Sequence, residues 1–358
     1  MGSTVTQPNI LLFEDRPLFG LDIGHGKVRV MQLEDNKHRL RMVGYGEATF
    51  DPTAVQDGII QKPELIAESI QELFRNHLVG DITTNRVAMA LPMARAFTRS
   101  VEVPDLSSKE LAEAVRNEAQ QYIPAALDDV HIDYVRAGAG EQKSVFIVAM
   151  PKTIVASYLT LSRLLGLEAI VLQTSSGAGV HLFGRDLQSD VPSLLIDFGS
   201  DSADITVYDN GPVVCGTVAC GSDLLTTAIA TELGVTDKEA TLIKARYGLN
   251  LSKKQAQIQK ALSPTLSLLT KEIKRNVRYY EEHAHDERRI SQIIIAGGGA
   301  NMPGLAEYLT SDVRIAVRSF DPGSYIDFGH LQPFNLTERM SYVTAAGLAA
   351  IDPQEAFA

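Results

Sequence analysis

Two segments of the chain place a carboxylate immediately ahead of a glycine turn. Residues 20–36 read Gly-Leu-Asp-Ile-Gly-His-Gly-Lys-Val-Arg-Val-Met-Gln-Leu-Glu-Asp-Asn, and residues 195–210 read Leu-Ile-Asp-Phe-Gly-Ser-Asp-Ser-Ala-Asp-Ile-Thr-Val-Tyr-Asp-Asn. Each is an apolar strand, an Asp-x-Gly, a small polar turn and a second alternating strand. Turns built from Gly24, His25 and Gly26, and from Gly199, Ser200 and Asp201, can wrap backbone N–H groups around a phosphate, because glycine lets the backbone approach closely and adopt positive φ. Asp22 and Asp197, just before the turns, suit Mg²⁺ held through water, since that ion keeps several waters and uses few protein carboxylates. Lys27 and Arg29 share one face of the strand after the first turn. Either can reach a phosphate, and Lys27 is the stronger candidate; the plainer alternative is a pair of solvated charges.

A third segment reads Ile293-Ile294-Ile295-Ala296-Gly297-Gly298-Gly299-Ala300-Asn301-Met302-Pro303-Gly304. The spacing predicts a buried strand running into a glycine turn and then a helix over 303–310 with Pro303 at its start. Bare glycines admit a flat ring or a phosphate to the backbone, with Asn301 beside them, and a helix N-terminus favours an anion. The pattern is neither a dinucleotide fingerprint nor a P-loop.

The elements that position these residues follow from the repeat. Two halves opening on the same hairpin indicate a duplicated, two-lobed α/β protein. Strands are expected at 86–91, 97–103, 130–136, 144–150, 169–173 and 290–296. Ser107 with Glu110 forms a capping box for a helix over 109–122, which Pro124 ends. Further helices are expected at 151–165, 174–182, 223–233, 237–247, 264–284 and 341–351, with Gly166, Gly234 and Gly248 as stops.

Composition narrows the function classes. The chain has 358 residues, 45% hydrophobic and 22% charged, with a net charge of −11. It is long enough for two or more domains. The negative charge argues against coating nucleic acid or docking on anionic lipid. Cys215 and Cys220 read as buried thiols in a reducing compartment rather than as a disulfide framework or a zinc site. No run of apolar residues is long enough to span a bilayer. The basic residues Lys271, Lys274, Arg275 and Arg278 alternate with acids and read as a solvated helix face, and His283 and His285 point to different faces of a helix.

The two hairpins and the glycine segment together resemble the phosphate-one, phosphate-two and adenosine elements of actin-like ATPases. A finer likeness is to the PilM family of type IV pilus assembly proteins. Phe19-Gly20-Leu21-Asp22-Ile23-Gly24 is similar to its opening. Glu118-Ala119-Gln120-Gln121-Tyr122-Ile123-Pro124 is similar to its EAxxYIP signature. Asp133-Tyr134, Gly221 with Leu224-Leu225-Thr226 and Ala228-Ile229, and Ala345-Ala346-Gly347-Leu348-Ala349 also match. Departures are His25, where the family carries a small residue, and Ala240-Thr241-Leu242-Ile243-Lys244, which lacks the ribose-side acids of bacterial actin relatives and keeps only Lys244.

The resemblance implies an actin-like, ribonuclease H-like duplicated fold with an inserted small α+β subdomain. Its parts would be a lead-in at 1–18, a first lobe at 19–96 and 168–192, an inserted ferredoxin-like subdomain at 97–167, and a second lobe at 193–358 with a smaller helical/β part around 221–290. It implies ATP and Mg²⁺ as ligands, slow or absent hydrolysis, and Gln173 where such proteins orient a water. It also implies a cytoplasmic scaffold that binds the N-terminal peptide of the membrane protein PilN beside the inserted subdomain. Other inner-membrane and motor components of the pilus would be reached from there, with the membrane touched only through the partner. Alternatives on the same superfold are a sugar- or acetate-kinase-like phosphotransferase and an FtsA-like filament protein. The first lacks an evident general base, and the second ends in a basic amphipathic tail not found here.

Overall fold

The computed structural model describes residues 17–36, 39–104, 106–137, 144–186, 191–284, 288–335 and 338–352. The apolar segment 10–13, His285, the chain start and residues 353–358 lie outside these. Two sheets have the same plan. In the first, β1 (Phe19–Ile23), β2 (Lys27–Asn36) and β3 (Arg39–Thr49) form an antiparallel meander. The chain continues through α1 (Pro63–Glu72) to β4 (Arg86–Leu91), which pairs in parallel with β1.

An insertion then follows: β5 (Phe97–Glu102), α2 (Ser108–Tyr122), β6 (Val130–Ala137) and β7 (Ser144–Pro151), after which α3 (Lys152–Leu164) returns the chain to the first lobe. Next come β8 (Glu168–Thr174), parallel to β4, and α4 (Ser175–Asp186). The first sheet thus runs β8-β4-β1-β2-β3.

In the second half, β9 (Ser193–Phe198), β10 (Ala203–Tyr208) and β11 (Pro212–Val218) repeat the meander. Helices α5 (Ser222–Leu233), α6 (Asp237–Arg246) and α7 (Gln255–His283) precede β12 (Gln292–Ala296), which is parallel to β9. After α8 (Leu305–Val313) comes β13 (Ala316–Ser319), giving the order β11-β10-β9-β12-β13. A short β14 (Ile326–Asp327) returns to pair with β3, and α9 (Val343–Ala349) is the last helix described.

Local chemistry accounts for most boundaries. The capping box at α2 forms as its sequence requires, with the Glu110 carboxylate accepting from the Ser107 N–H at 2.9 Å and its own N–H on the Ser107 hydroxyl. Thr236 and Glu239 repeat it at α6. Gly234 ends α5 in the left-handed conformation at φ 64°, and Gly166 follows α3 at φ 69°.

Three expectations are corrected. Helix α7 starts at Gln255, not at 264, and carries Pro264 inside it. The proline removes one backbone donor, and the helix persists because Ile258, Leu262, Leu266 and Leu269 are all buried in the second lobe's core. The glycine segment enters a 3₁₀ turn, Gly298–Asn301, and α8 begins only at Leu305. Finally, α3 was grouped with the insertion by sequence. Its Ile154, Val155, Tyr158 and Leu161 pack with Phe19, Leu21, Val87 and Met89 in the first lobe's core. The insertion's own sheet is β5-β7-β6, covered by α2 through Leu111, Val115 and Ala119.

Helices α4 and α9 lie between the two large sheets. Leu182 and Phe183 of α4 and Val343, Ala345 and Ala346 of α9 share one core with Met31 and Leu33 of β2 and with Leu195, Ile294 and Ala296 of the second sheet. The approach is close: a side chain at Gly347 would overlap the Ala178 carbonyl, and one at Gly20 would overlap that of Ala345. These two glycines let the helices and β1 nest, which holds the two hairpins in a fixed relation.

Candidate functional site

In β1 the residues that face α9 are Gly20 and Asp22; in β9 they are Leu195 and Asp197, since alternate residues share a face. The duplicated geometry therefore brings both carboxylates to the same layer between the lobes, near enough that the Asp22 charge raises the proton affinity of Asp197. Asp197 Oδ2 accepts from the Thr344 hydroxyl of α9 at 3.0 Å. Asp22 sits 3.7 Å from the Arg29 guanidinium, both side chains about seven-eighths buried.

Arg29, rather than Lys27, is the cation of this layer. It also pairs with Glu47 at 2.7 Å, and its guanidinium lies 5.9 Å from the centre of the Tyr342 ring. Lys27 pairs with Glu47 as well, but its side chain is 40% exposed and reaches along the strand. Sequence placed both on one face and could not tell their depth.

Asp204 completes the cluster. It stands opposite Asp197 in the β9–β10 ladder. Its Oδ2 accepts from the Ser175 hydroxyl at 2.7 Å and its Oδ1 from the Thr217 hydroxyl at 2.6 Å. Burial pushes all three carboxyls up. Asp197 reaches about 7, from burial first and then from the charges of Asp204 and Asp22, which outweigh the Thr344 bond and Arg29. Such a cluster favours a bound cation or a proton.

The turns leave donors open. Gly24 N–H closes the first turn on the Lys27 carbonyl at 2.8 Å and Gly199 N–H the second on Ser202 at 2.9 Å. Among the described residues, the N–H groups of His25, Gly26, Ser200 and Asp201 find no protein acceptor. His25 is exposed at its turn, and Gly26 has φ 77°. The second turn rests on the start of α5, where the Ser222 and Asp223 N–H groups donate to Gly199 and Ser200, each at 2.9 Å.

Lys244 lies behind that helix start. Its ammonium donates to the Ser222 carbonyl, the Ser222 hydroxyl and the Thr226 hydroxyl at 2.6–2.7 Å. Three acceptors saturate an ammonium, and burial lowers its pKa to about 8. It braces α5 from α6. The Thr241 hydroxyl turns back to the Asp237 carbonyl, and Leu242 is 70% exposed.

The glycine segment borders the same layer. Gly297, at φ 85°, packs against Asp197 and Phe198 so closely that any side chain would overlap the Asp197 carboxylate. Its N–H donates to the Met340 carbonyl at 3.0 Å. Gly299 packs on the Phe198 ring, whereas a side chain at Gly298 would meet only the Ser341 hydroxyl, at 3.0 Å. Asn301 bonds back to the Gly298 carbonyl at 3.2 Å. Gln173, near the end of β8, holds the His181 ring nitrogen at 3.0 Å through its amide nitrogen, and its amide oxygen is buried with no protein donor.

The sequence reading missed Asp204, Thr344 and Ser175. Asp204 carried a signal, since it follows Asp197 at the spacing by which Arg29 follows Asp22. Thr344 and Ser175 carried none, because only the packing of α9 and α4 brings them in. Among the described residues no group of three His, Cys, Asp or Glu side chains is arranged to hold a metal by itself, and no helix is long and apolar enough to cross a membrane.

Comparison with known proteins agrees with this architecture. Among solved structures, a chain of a PilM–PilN type IV pilus biogenesis complex matches with a TM-score of 0.80 at 24% identity, over 93% of this chain and 98% of that one. The ethanolamine utilization protein EutJ from Carboxydothermus hydrogenoformans matches at 0.52 and 14% identity, over 94% and 91%. MreB 5 of Spiroplasma citri bound to AMPPNP matches at 0.51 and 13%, over 93% and 95%. The fold is actin-like. A family model described as type IV pilus assembly protein PilM spans residues 20–351, and the chain belongs to that family.

Proposed function

We propose that this protein is a scaffold of type IV pilus assembly that holds the N-terminal cytoplasmic peptide of a PilN-type membrane protein beside its inserted module and binds Mg·ATP between its lobes. The observation that carries the reading is the combination of an actin-like cleft with a separate three-stranded module, in a PilM-family chain whose fold matches 98% of one chain of a PilM–PilN complex. The peptide docks where the module meets the first lobe, adding backbone hydrogen bonds and burying apolar side chains. The scaffold thereby sits at the inner membrane through its partner and links it to the pilus motor.

The residues present fit Mg·ATP. Asp22 and Asp197 are two carboxylates, the number Mg²⁺ uses when phosphates and water supply the rest. The open amides of the two turns suit the phosphates. Gly298 leaves room for the base and ribose beside Asp197. Bound Mg²⁺ would neutralise the charge that Asp22, Asp197 and Asp204 otherwise concentrate. Nucleotide acts as a conformational ligand, with Gln173 offering its buried amide oxygen to an attacking water and hydrolysis slow or absent.

The test of the partner is fluorescence anisotropy with a labelled PilN N-terminal peptide on the full chain. A disordered peptide loses ordering entropy on binding, so a Kd on the order of micromolar is expected. Absence of saturable binding contradicts the scaffold reading.

A further inference from the structure

The hydroxyl of Ser175, the first residue of α4, is shared between the second lobe and the root of the insertion. It donates to Asp204 Oδ2 at 2.7 Å and accepts the Met93 N–H at 3.4 Å. Met93 opens the 3₁₀ turn Met93–Arg95, which leads within two residues into β5, the first strand of the module. The path also closes from the other side. Asp204 Oδ1 accepts from Thr217 on β11, and the carbonyl of Cys215, two residues back on that strand, accepts from the Thr98 hydroxyl of β5 at 3.4 Å.

Asp204 therefore has both carboxylate oxygens tied to elements that touch the module's entry, while it stands opposite Asp197 in the cleft. The two inner bonds are short, at 2.7 and 2.6 Å, and the two outer ones are long, at 3.4 Å each. A shift of the module changes the Met93–Ser175 contact directly, and Ser175 passes the change to Asp204 through its short bond.

From this geometry we infer that Ser175 is a positioning residue that couples the cleft to the inserted module, so that occupancy of either site changes the affinity of the other. The inference rests on the two-site reading above. Such coupling is reciprocal: if Mg·ATP changes peptide affinity by some factor, the peptide changes Mg·ATP affinity by the same factor.

The experiment titrates the labelled peptide into the full chain with and without saturating Mg·ATP, for the wild type, Ser175→Ala and Ser175→Thr, each checked by circular dichroism for an intact fold. The wild type should show a change in peptide Kd of about fivefold or more, within the usual range of allosteric coupling. Ser175→Ala should bring that factor close to one while the peptide alone, measured without nucleotide, binds within about threefold of wild type, as expected for loss of coupling without loss of the peptide site. Ser175→Thr, which keeps the hydroxyl, should restore the factor. If the wild type binds both ligands with no linkage, or Ser175→Ala keeps the full factor, the inference is overturned and the two-site reading stands. If the wild type binds neither ligand, both fall.

Discussion

Asp197 faces Asp204 across the β9–β10 ladder at the register position where, in the first hairpin, Asp22 faces Arg29. The two halves share a backbone plan and differ in charge at this pair. The first hairpin carries its own counter-cation; the second carries a second acid. Like charges directly opposed in a sheet are unfavourable, and the Asp204 charge adds to burial, the larger cause, in pushing Asp197 up to about 7.

The first prediction concerns pH. A carboxyl whose folded pKa lies above its unfolded value binds more protons in the native state between the two values, so stability falls as pH rises through that window. For Asp197 the window runs from 3.8 to about 7, and Asp22 and Asp204 act in the same direction. The ligand-free protein should melt higher at pH 5.5 than at pH 7.5. Asp197→Asn, which can still accept from Thr344, should raise Tm at pH 7.5 by a few degrees, a kcal/mol being worth about 2 °C in a large domain, and should flatten the slope. Thermal melts across this range check it; a variant that melts lower at pH 7.5 speaks against a charge-strained cluster.

Adjacent glycines should behave differently. Gly297→Ala puts a methyl into the Asp197 carboxylate and forces a side chain onto φ 85°, a strain on the order of 1–3 kcal/mol before any displacement. Its Tm should drop by several degrees. Gly298→Val meets only the movable Ser341 hydroxyl, so it should melt close to wild type and yet lose nucleotide affinity by more than tenfold. Calorimetry beside the melts separates the two effects. Unchanged affinity in Gly298→Val would remove that glycine from the site.

Tyr122, in the family signature, offers a third test. Its hydroxyl is buried with no protein acceptor, and the Arg99 guanidinium lies 5.2 Å from the ring centre. An unsatisfied buried donor is a cost, so removing it is neutral or favourable. Tyr122→Phe keeps the ring under Arg99 and should leave Tm unchanged or slightly higher. A loss of more than about 1 kcal/mol would mean the hydroxyl has a partner in solution.

What the sequence made legible is local or repeated. The capping box at Ser107, the αL stop at Gly234 and the two matched hairpins follow from residue types at short spacing, and the hairpins carried the two-lobed architecture with them. What was hidden depends on contacts distant in sequence. The helix expected over 264–284 begins at Gln255, because the burial of Ile258 and Leu262 in the second lobe's core carries it back through Pro264. Lys244, expected on the ribose side of a nucleotide, is held by three acceptors on another helix, which its own sequence neighbourhood does not show. Helix α3 looked like part of the insertion because chain order places it there, while its apolar face belongs to the first lobe.

The most direct measurement of the central claim is a calorimetric titration of ATP with excess Mg²⁺ into the wild-type chain and into Asp197→Ala, repeated with the metal chelated. The account predicts saturable binding by the wild type only with Mg²⁺, and none by Asp197→Ala, whose circular dichroism stays that of the wild type. Equal affinity in the variant, or binding indifferent to Mg²⁺, would contradict a cleft in which Asp22 and Asp197 hold nucleotide through the metal.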